Sequence, residues 1–162
     1  MKTILTVILL TLILPTYAQK IYWGDEVPDK WTGDWNEEFL TTPEKTNYER
    51  SSSSTDVLEY ISKMRWKSEY VHTISMFTTV QGRTGVAAVL SNPRVTSPEE
   101  AIKTGKPIIY LQGDIHPPEA EGKEALMMLM RDILIGDKKH LLDNQILIIC
   151  PDFCPDGTDN LV

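Results

Sequence analysis

Two short apolar runs enclose a long helical segment, and this pattern constrains the fold more than any other. Residues 108–111 and 146–149 are wholly apolar apart from one tyrosine hydroxyl, as expected for strands that are buried on both faces. Between them, residues 118–135 are predicted to form a helix that ends at Gly136. The body of this helix, residues 125–130, is apolar on nearly every side, which indicates deep burial. A strand, a helix and a strand joined by short connections indicate a βαβ crossover and an α/β fold.

Four further segments complete the predicted architecture. Apolar spacing predicts a helix over residues 55–66, with a capping carboxylate at its start. Alternating and apolar patterns predict strands over residues 70–76 and 86–90, and Ser97-Pro98 opens a short helix. We therefore expect a mixed, largely parallel sheet of about four strands that is flanked by helices.

The end of the sequence bears on how much of a domain is present. Pro155-Asp156-Gly157 predicts a turn after the last strand, and we expect no helix between it and Val162. The strand over residues 146–149 would then form an exposed sheet edge. We infer from this pattern that the sequence is the front portion of a longer protein, truncated after about four strands.

The N-terminus has the pattern of an export signal. Lys2 precedes an apolar run over residues 4–14, and Ala18 offers a small residue for cleavage before Gln19. Residues 1–18 are therefore interpreted as a signal peptide, although an uncleaved membrane anchor is the alternative. Cleavage would place the protein outside the cell or in a periplasm, without a membrane anchor.

Residues 19–50 form a poorly periodic lead-in segment. Trp23, Trp31 and Trp35 lie among glycine, aspartate and proline residues. They are interpreted as a clasp that packs over the domain surface, rather than as the lining of a pocket.

Charge and cysteine content exclude some functions. The formal net charge is −7, whereas nucleic-acid-binding surfaces are basic, so we expect no nucleic-acid partner. Cys150 and Cys154 are the two cysteines. A disulfide between them needs a turn that brings their Cα atoms together, and the position at a strand end favours two free thiols instead.

A candidate metal site lies at the start of the long helix, in the sequence His116-Pro117-Pro118-Glu119. Open α/β sheets place their sites beyond the carboxyl ends of strands, and zinc accepts an imidazole and a carboxylate together. The alternatives are a packed histidine for His116 and a surface acid at a helix start for Glu119. Asp114 is either a group that orients His116 or a turn residue.

The other histidines are weaker candidates for a metal site. His72 lies at an alternating position of a predicted strand and is interpreted as structural. His140 follows a polar, charged stretch and is interpreted as solvated.

Several stretches together resemble the front part of secreted M14-type zinc carboxypeptidases. They occur in the family's order and cover residues 39–48, Gln81-Gly82-Arg83, residues 106–131, residues 141–149 and Pro155-Asp156-Gly157. The resemblance implies that residues 51–162 are the incomplete N-terminal part of an M14-like catalytic domain. It also implies a Zn²⁺ cofactor held by His116 and Glu119.

The family's remaining functional residues have no position in this sequence. A third zinc ligand, a carboxylate-binding arginine, a substrate-positioning tyrosine and a general-base glutamate all lie downstream in the family. We therefore expect no catalytic residue within this chain. Two positions also depart from the family pattern, since Pro118 stands where many members have arginine and Cys154 stands where they have asparagine.

Three functions are compatible with these observations. The resemblance implies the N-terminal portion of a secreted zinc metallocarboxypeptidase that hydrolyses peptide bonds at the C-termini of peptides or proteins. The alternatives are a non-catalytic carboxypeptidase-like binding module and a zinc amidohydrolase that acts on a non-peptide or cell-wall amide. The sequence beyond Val162 would discriminate between catalytic and non-catalytic proteins.

Overall fold

A computed structural model describes residues 35–161 of the chain. The predicted signal peptide, Trp23 and Trp31 lie outside the described residues. Within the described part, no helix combines the length and the apolar character needed to cross a membrane.

The described residues form a four-stranded mixed sheet with helices packed against it. The strands are β1 (Val71–Thr78), β2 (Thr84–Leu90), β3 (Ile108–Gln112) and β4 (Ile146–Cys150), in the spatial order β1-β2-β4-β3. This confirms the predicted α/β architecture. The parallel part is confined to the β3–β4 pair, because β1–β2 and β2–β4 pair antiparallel. A short turn joins β1 to β2, and such a connection permits only an antiparallel pair.

Within residues 35–161, five α-helices accompany the sheet. They are α1 (Thr42–Lys45), α2 (Ser54–Lys67), α3 (Pro98–Lys103), α4 (Ala120–Leu134) and α5 (Pro155–Leu161), with 3₁₀ segments at Glu37–Phe39 and Lys139–Leu142. Helix α2 begins one residue earlier than predicted, because Ser53 and Asp56 cap it reciprocally. The Ser53 side chain accepts from the Asp56 amide, and Asp56 accepts from the Ser53 amide at 2.9 Å.

The main hydrophobic core lies between one face of the sheet and the helices α2 and α4. Its fully buried members include Val57, Ile61, Met64, Met127, Met130, Leu90, Leu147 and Ile149. Met127 and Met130 of α4 therefore fill the core, as their apolar surroundings in the sequence predict. This packing fixes α4 across the β3–β4 pair and so fixes the corner where β3 leads into α4.

The opposite face of the sheet is only partly covered. Ala101 of α3 and Val95, in the segment before this helix, pack there. By contrast, Ile108 and Tyr110 of β3 are 47% and 43% exposed. The prediction that β3 is buried on both faces is therefore wrong for this structure. The predicted edge is also wrong, because β4 lies between β2 and β3, and the edge strands of the described sheet are β1 and β3.

The C-terminal segment forms a helix rather than the predicted turn. Pro155 begins α5, where its fixed φ suits a first helical position as well as a turn. Arg83 holds this helix to the β1–β2 turn through Asp156, at 2.9 Å, and Asp159, at 2.7 Å. The Ser54 amide also donates to Asp159 at 2.9 Å, so α5 is tied to α2.

Candidate metal centre

The corner between β3 and α4 is held closely against the end of β4. The Gly113 amide donates to the Cys150 carbonyl at 3.0 Å, and the Phe153 amide donates to the Gly113 carbonyl at 3.2 Å. A Cβ atom on Gly113 would lie 2.8 Å from backbone atoms of Gly122, Lys123 and Pro151. Only glycine permits this approach, and it brings the start of α4 directly over the strand ends.

His116-Pro117-Pro118-Glu119 forms a tight turn at this corner. Asp114 precedes it with a φ of 52°, and the Glu119 amide donates to the His116 carbonyl at 2.8 Å. Glu119 occupies the N-cap position of α4 without a capping hydrogen bond from its side chain, and the helix begins at Ala120. The predicted helix start at Pro118 is therefore wrong. Two consecutive prolines restrict φ across the turn and oppose helix continuation from the residue before each of them.

The turn brings together the two side chains that the sequence analysis predicts as metal ligands. His116 Nδ1 and Glu119 Oε1 lie 3.1 Å apart, and the side chains are 71% and 65% exposed. Zinc bonds of about 2.0–2.2 Å at a tetrahedral angle would separate two such ligand atoms by roughly 3.4 Å. The spacing and the nitrogen–oxygen donor pair therefore fit a shared zinc ion with only small side-chain adjustment.

No larger metal site is present in residues 35–161, where no group of three or more His, Cys, Asp or Glu side chains could hold an ion. His72 lies in β1, where burial and then the charges of Arg94 and Arg65 lower its pKa. The His140 ring nitrogen Nδ1 lies 3.3 Å from the Asp137 carbonyl oxygen in an exposed segment. The structure thus places neither His72 nor His140 with His116 and Glu119.

Asp114 takes the turn role rather than the role of orienting His116. Its carboxylate is directed into the protein, is only 2% exposed, and accepts a short hydrogen bond from the Thr158 hydroxyl. The Lys123 ammonium lies 3.6 Å from the same carboxylate oxygen, Oδ2. The backbone of Asp114, and not its side chain, therefore leads to His116.

Sequence reasoning missed the buried polar cluster behind the corner, which consists of Asp114, Lys123, Asp152 and Thr158. The Thr158 hydroxyl lies 3.0 Å from Asp152 Oδ1, and all four residues are at most 5% exposed. Burial, and then the charge of Asp114, raises the pKa of Asp152 to about 6. Lys123 could have indicated this cluster in the sequence, because helical spacing places it on the same side of α4 as the apolar residues that face the core.

Both cysteines are free thiols. Burial raises the pKa of Cys150 to about 11, which makes it an inert core group. Cys154 lies beside the metal corner: a Cβ atom on Gly157 would meet Pro117 Cγ at 2.0 Å and Cys154 Sγ at 3.0 Å. The first turn of α5 therefore packs directly against the turn that carries the candidate ligands.

A comparison with protein-family models identifies one family. Residues 57–160 match the family model described as zinc carboxypeptidase. A search of the curated proteins found no match.

Solved structures share the fold at low sequence identity. A carboxypeptidase A from Helicoverpa armigera is 20% identical with a TM-score of 0.58, and the match covers 67% of this chain and 26% of that one. A putative carboxypeptidase from Burkholderia mallei is 19% identical with a TM-score of 0.55, covering 67% and 27%. One from Shewanella denitrificans is 23% identical with a TM-score of 0.55, covering 65% and 26%. The match thus spans about a quarter of the length of these structures.

Proposed function

This chain belongs to the zinc carboxypeptidase family, and from that premise we propose that His116 and Glu119 are two of the zinc ligands of a metallocarboxypeptidase. The protein would hydrolyse the peptide bond that precedes the C-terminal residue of a peptide or protein. The observation that carries the proposal is the 3.1 Å separation of His116 Nδ1 and Glu119 Oε1 at an exposed corner. Zinc, when bound, supplies a Lewis acid that polarises a carbonyl group and lowers the pKa of water.

The chain itself contributes a preformed pair of ligands. Pro117 and Pro118 restrict the turn, and the hydrogen bond from Glu119 to the His116 carbonyl closes it. Both ligand side chains stay accessible to a substrate because they are more than half exposed. Pro118 has no donor that could contact a substrate, so this position does not serve the binding role of the family's arginine.

A complete site needs groups beyond this pair. A catalytic zinc usually has three protein ligands and a water, and the proton transfers need a general base. We expect these groups to come from the rest of the natural protein, so the 162-residue chain alone should release no C-terminal residues. The N-terminal residues 1–18 support export of the protein by cleavage after Ala18, which N-terminal sequencing of the exported protein checks.

The test is substitution of each ligand in the natural full-length protein. His116→Ala and Glu119→Ala should each lower zinc content and abolish peptidase activity, because one remaining ligand of this pair holds the ion poorly. Zinc is measured by atomic emission after dialysis, and activity by release of C-terminal residues from peptides. Unchanged zinc content and activity in both variants would remove the assignment.

Three control variants separate ligand loss from general damage. His72→Ala and His140→Ala should keep zinc, since both side chains lie in local environments apart from the corner. Glu121→Gln changes an exposed acid in the first turn of α4 and should keep both zinc and activity. Loss of zinc in Glu121→Gln, with retention in Glu119→Gln, would show that the wrong carboxylate has been identified.

A further inference from the structure

The buried cluster behind the corner connects α5 to the turn that carries His116. The Thr158 hydroxyl contacts Asp114 Oδ2 and lies 3.0 Å from Asp152 Oδ1. Asp114 is two residues before His116 in the sequence and has a φ of 52°. For a non-glycine residue this conformation is unfavourable by itself and persists where surrounding contacts hold it.

Asp114 is held from two elements at once. Thr158 approaches from α5, and the Lys123 ammonium of α4 lies 3.6 Å from Asp114 Oδ2. The side chain of Asp114 is fully buried, so it has no water-exposed rotamer in this arrangement. Its neighbour Gly113 is fixed by two backbone hydrogen bonds. Asp114, which precedes Ile115 and His116, is therefore held in place through its own side chain and through the backbone of Gly113.

We propose that Thr158 and Lys123 are positioning residues for the zinc site, acting through the buried carboxylate of Asp114 on the backbone that presents His116. The inference rests on the proposed function, because it concerns the same ligand pair. Neither Thr158 nor Lys123 is a ligand or touches the ligand atoms. Outer groups that orient metal ligands typically change metal affinity by about 10- to 100-fold when removed.

The hydrogen-bond geometry also assigns a role to Asp152. Thr158 has one hydroxyl hydrogen, and Asp114, Asp152 and the Cys154 carbonyl all lie within hydrogen-bond distance of its oxygen. If that hydrogen goes to Asp114, the contact with Asp152 is a hydrogen bond only when Asp152 is the donor. Asp152 Oδ1 also accepts a hydrogen bond from the Cys154 amide at 3.2 Å. The side-chain NH2 group introduced by Asp152→Asn can donate to Thr158 but cannot accept from Cys154, so this variant should preserve the positioning only in part.

The test compares two buried threonines in the natural full-length protein. Thr158→Val removes the hydroxyl with little change of shape and should weaken zinc binding about tenfold, whereas Thr158→Ser should restore it. Thr41→Val is the matched control, because Thr41 is also 2% exposed and its hydroxyl also contacts a carboxylate, that of Glu44 at 3.1 Å. Zinc affinity is measured by competition with a chromogenic chelator.

A second measurement does not depend on zinc. The backbone amide NMR signals of Ile115 and His116 should shift in Thr158→Val without metal and should stay in place in Thr41→Val. Wild-type zinc affinity in Thr158→Val with unmoved amide signals would overturn the inference. An equal loss of zinc in Thr41→Val would overturn it as well. If His116→Ala leaves zinc binding unchanged while the amide signals move, the proposed function fails and the anchoring of the turn stands.

Discussion

Asp152 is a carboxyl group in a place where its charge is unfavourable. Burial and the nearby Asp114 raise its pKa from 3.8 to about 6. Between about pH 4 and 6 the folded protein therefore holds a proton that the unfolded chain has released, so stability falls as pH rises through this window. We predict that Asp152→Asn removes this loss, which amounts to about 1–3 kcal/mol by pH 7.

The free energy of unfolding of wild type and variant is measured by urea denaturation at several pH values, and the difference between the two proteins is calculated at each pH. Lys123 and Asp114, the charged groups beside Asp152, and the Cys150 thiol are common to both proteins. The pKa values of Asp156 and Asp159 are lowered, so their contribution is lost only at lower pH and is also common to both. A difference that stays constant from pH 4 to pH 7 would contradict the prediction.

Single residues differ in how well the sequence reveals them. His116 and Glu119 are three positions apart and meet through one turn, so the pair could be predicted from local pattern. Asp152 and Thr158 meet Asp114 only after β3, β4 and α5 have packed together. Their spacing in the sequence does not indicate that they meet. The sequence also does not indicate whether a carboxylate in a turn, such as that of Asp114, points into the protein or into the solvent.

At the scale of elements, the residues before α2 are fixed to α4 by a buried ion pair. Arg131 Nη1 lies 2.7 Å from Glu44 Oε2, with the two side chains 4% and 0% exposed. The Trp35 ring lies 4.8 Å from the Arg131 guanidinium, whereas the predicted packing of Trp23 and Trp31 concerns residues outside the described part of the chain. We predict that Glu44→Gln destabilises the protein by about 3–5 kcal/mol, because it removes the carboxylate that contacts the buried Arg131 guanidinium most closely. Asp132 Oδ1, at 3.6 Å from Arg131 Nε, is the more distant carboxylate.

Chemical denaturation of single and double variants checks this ion pair. Glu44→Gln combined with Arg131→Met should cost less than the sum of the two single changes. The exposed pair Lys67–Glu38, at 3.3 Å and nearly half exposed on both sides, is the control. Lys67→Gln should cost less than about 1 kcal/mol. If the changes in the free energy of unfolding of the two single variants add up to that of the double variant, Glu44 and Arg131 do not stabilise each other.

The elements themselves could largely be predicted, but their arrangement could not. The apolar periodicity of α2 and α4 reflects the core that they cover, so both were found with errors of one or two residues. Helix α5 was missed because Pro155-Asp156-Gly157 suits a turn and a helix start equally well. The apolar run of β3 indicated burial, yet its position at the edge depends on pairing order, which an apolar run does not encode.

For the whole molecule, the main consequence of this arrangement is an apolar sheet face. Ile108 and Tyr110 are nearly half exposed beside an open cavity of about 170 Å³ that Ile74, Ile146 and Ile148 help to line. We predict that the 162-residue chain, purified alone, binds an apolar fluorescent dye and associates, because β3 offers an open edge next to this face. Dye titration and sedimentation velocity measure the two effects.

Matched lysine substitutions test whether dye binding and association depend on this sheet face. Ile108→Lys and Tyr110→Lys should reduce dye binding and association. Ile102→Lys changes an isolated side chain on α3 that is 73% exposed, and it should have little effect. A compact monomer with a sharp melt and no dye binding would contradict the predicted association.

Backbone contacts and a buried side chain form the turn that carries His116 and Glu119, the two candidate ligands. Backbone hydrogen bonds of Gly113 and Glu119 and the buried carboxylate of Asp114 form it, while the imidazole and the carboxylate point outwards and contact each other. In small zinc domains, by contrast, metal binding and folding are one event. If zinc binds here as proposed, it binds reversibly to a turn that is already folded. The fraction of molecules that are loaded then follows the free metal concentration around the protein and leaves the fold unchanged.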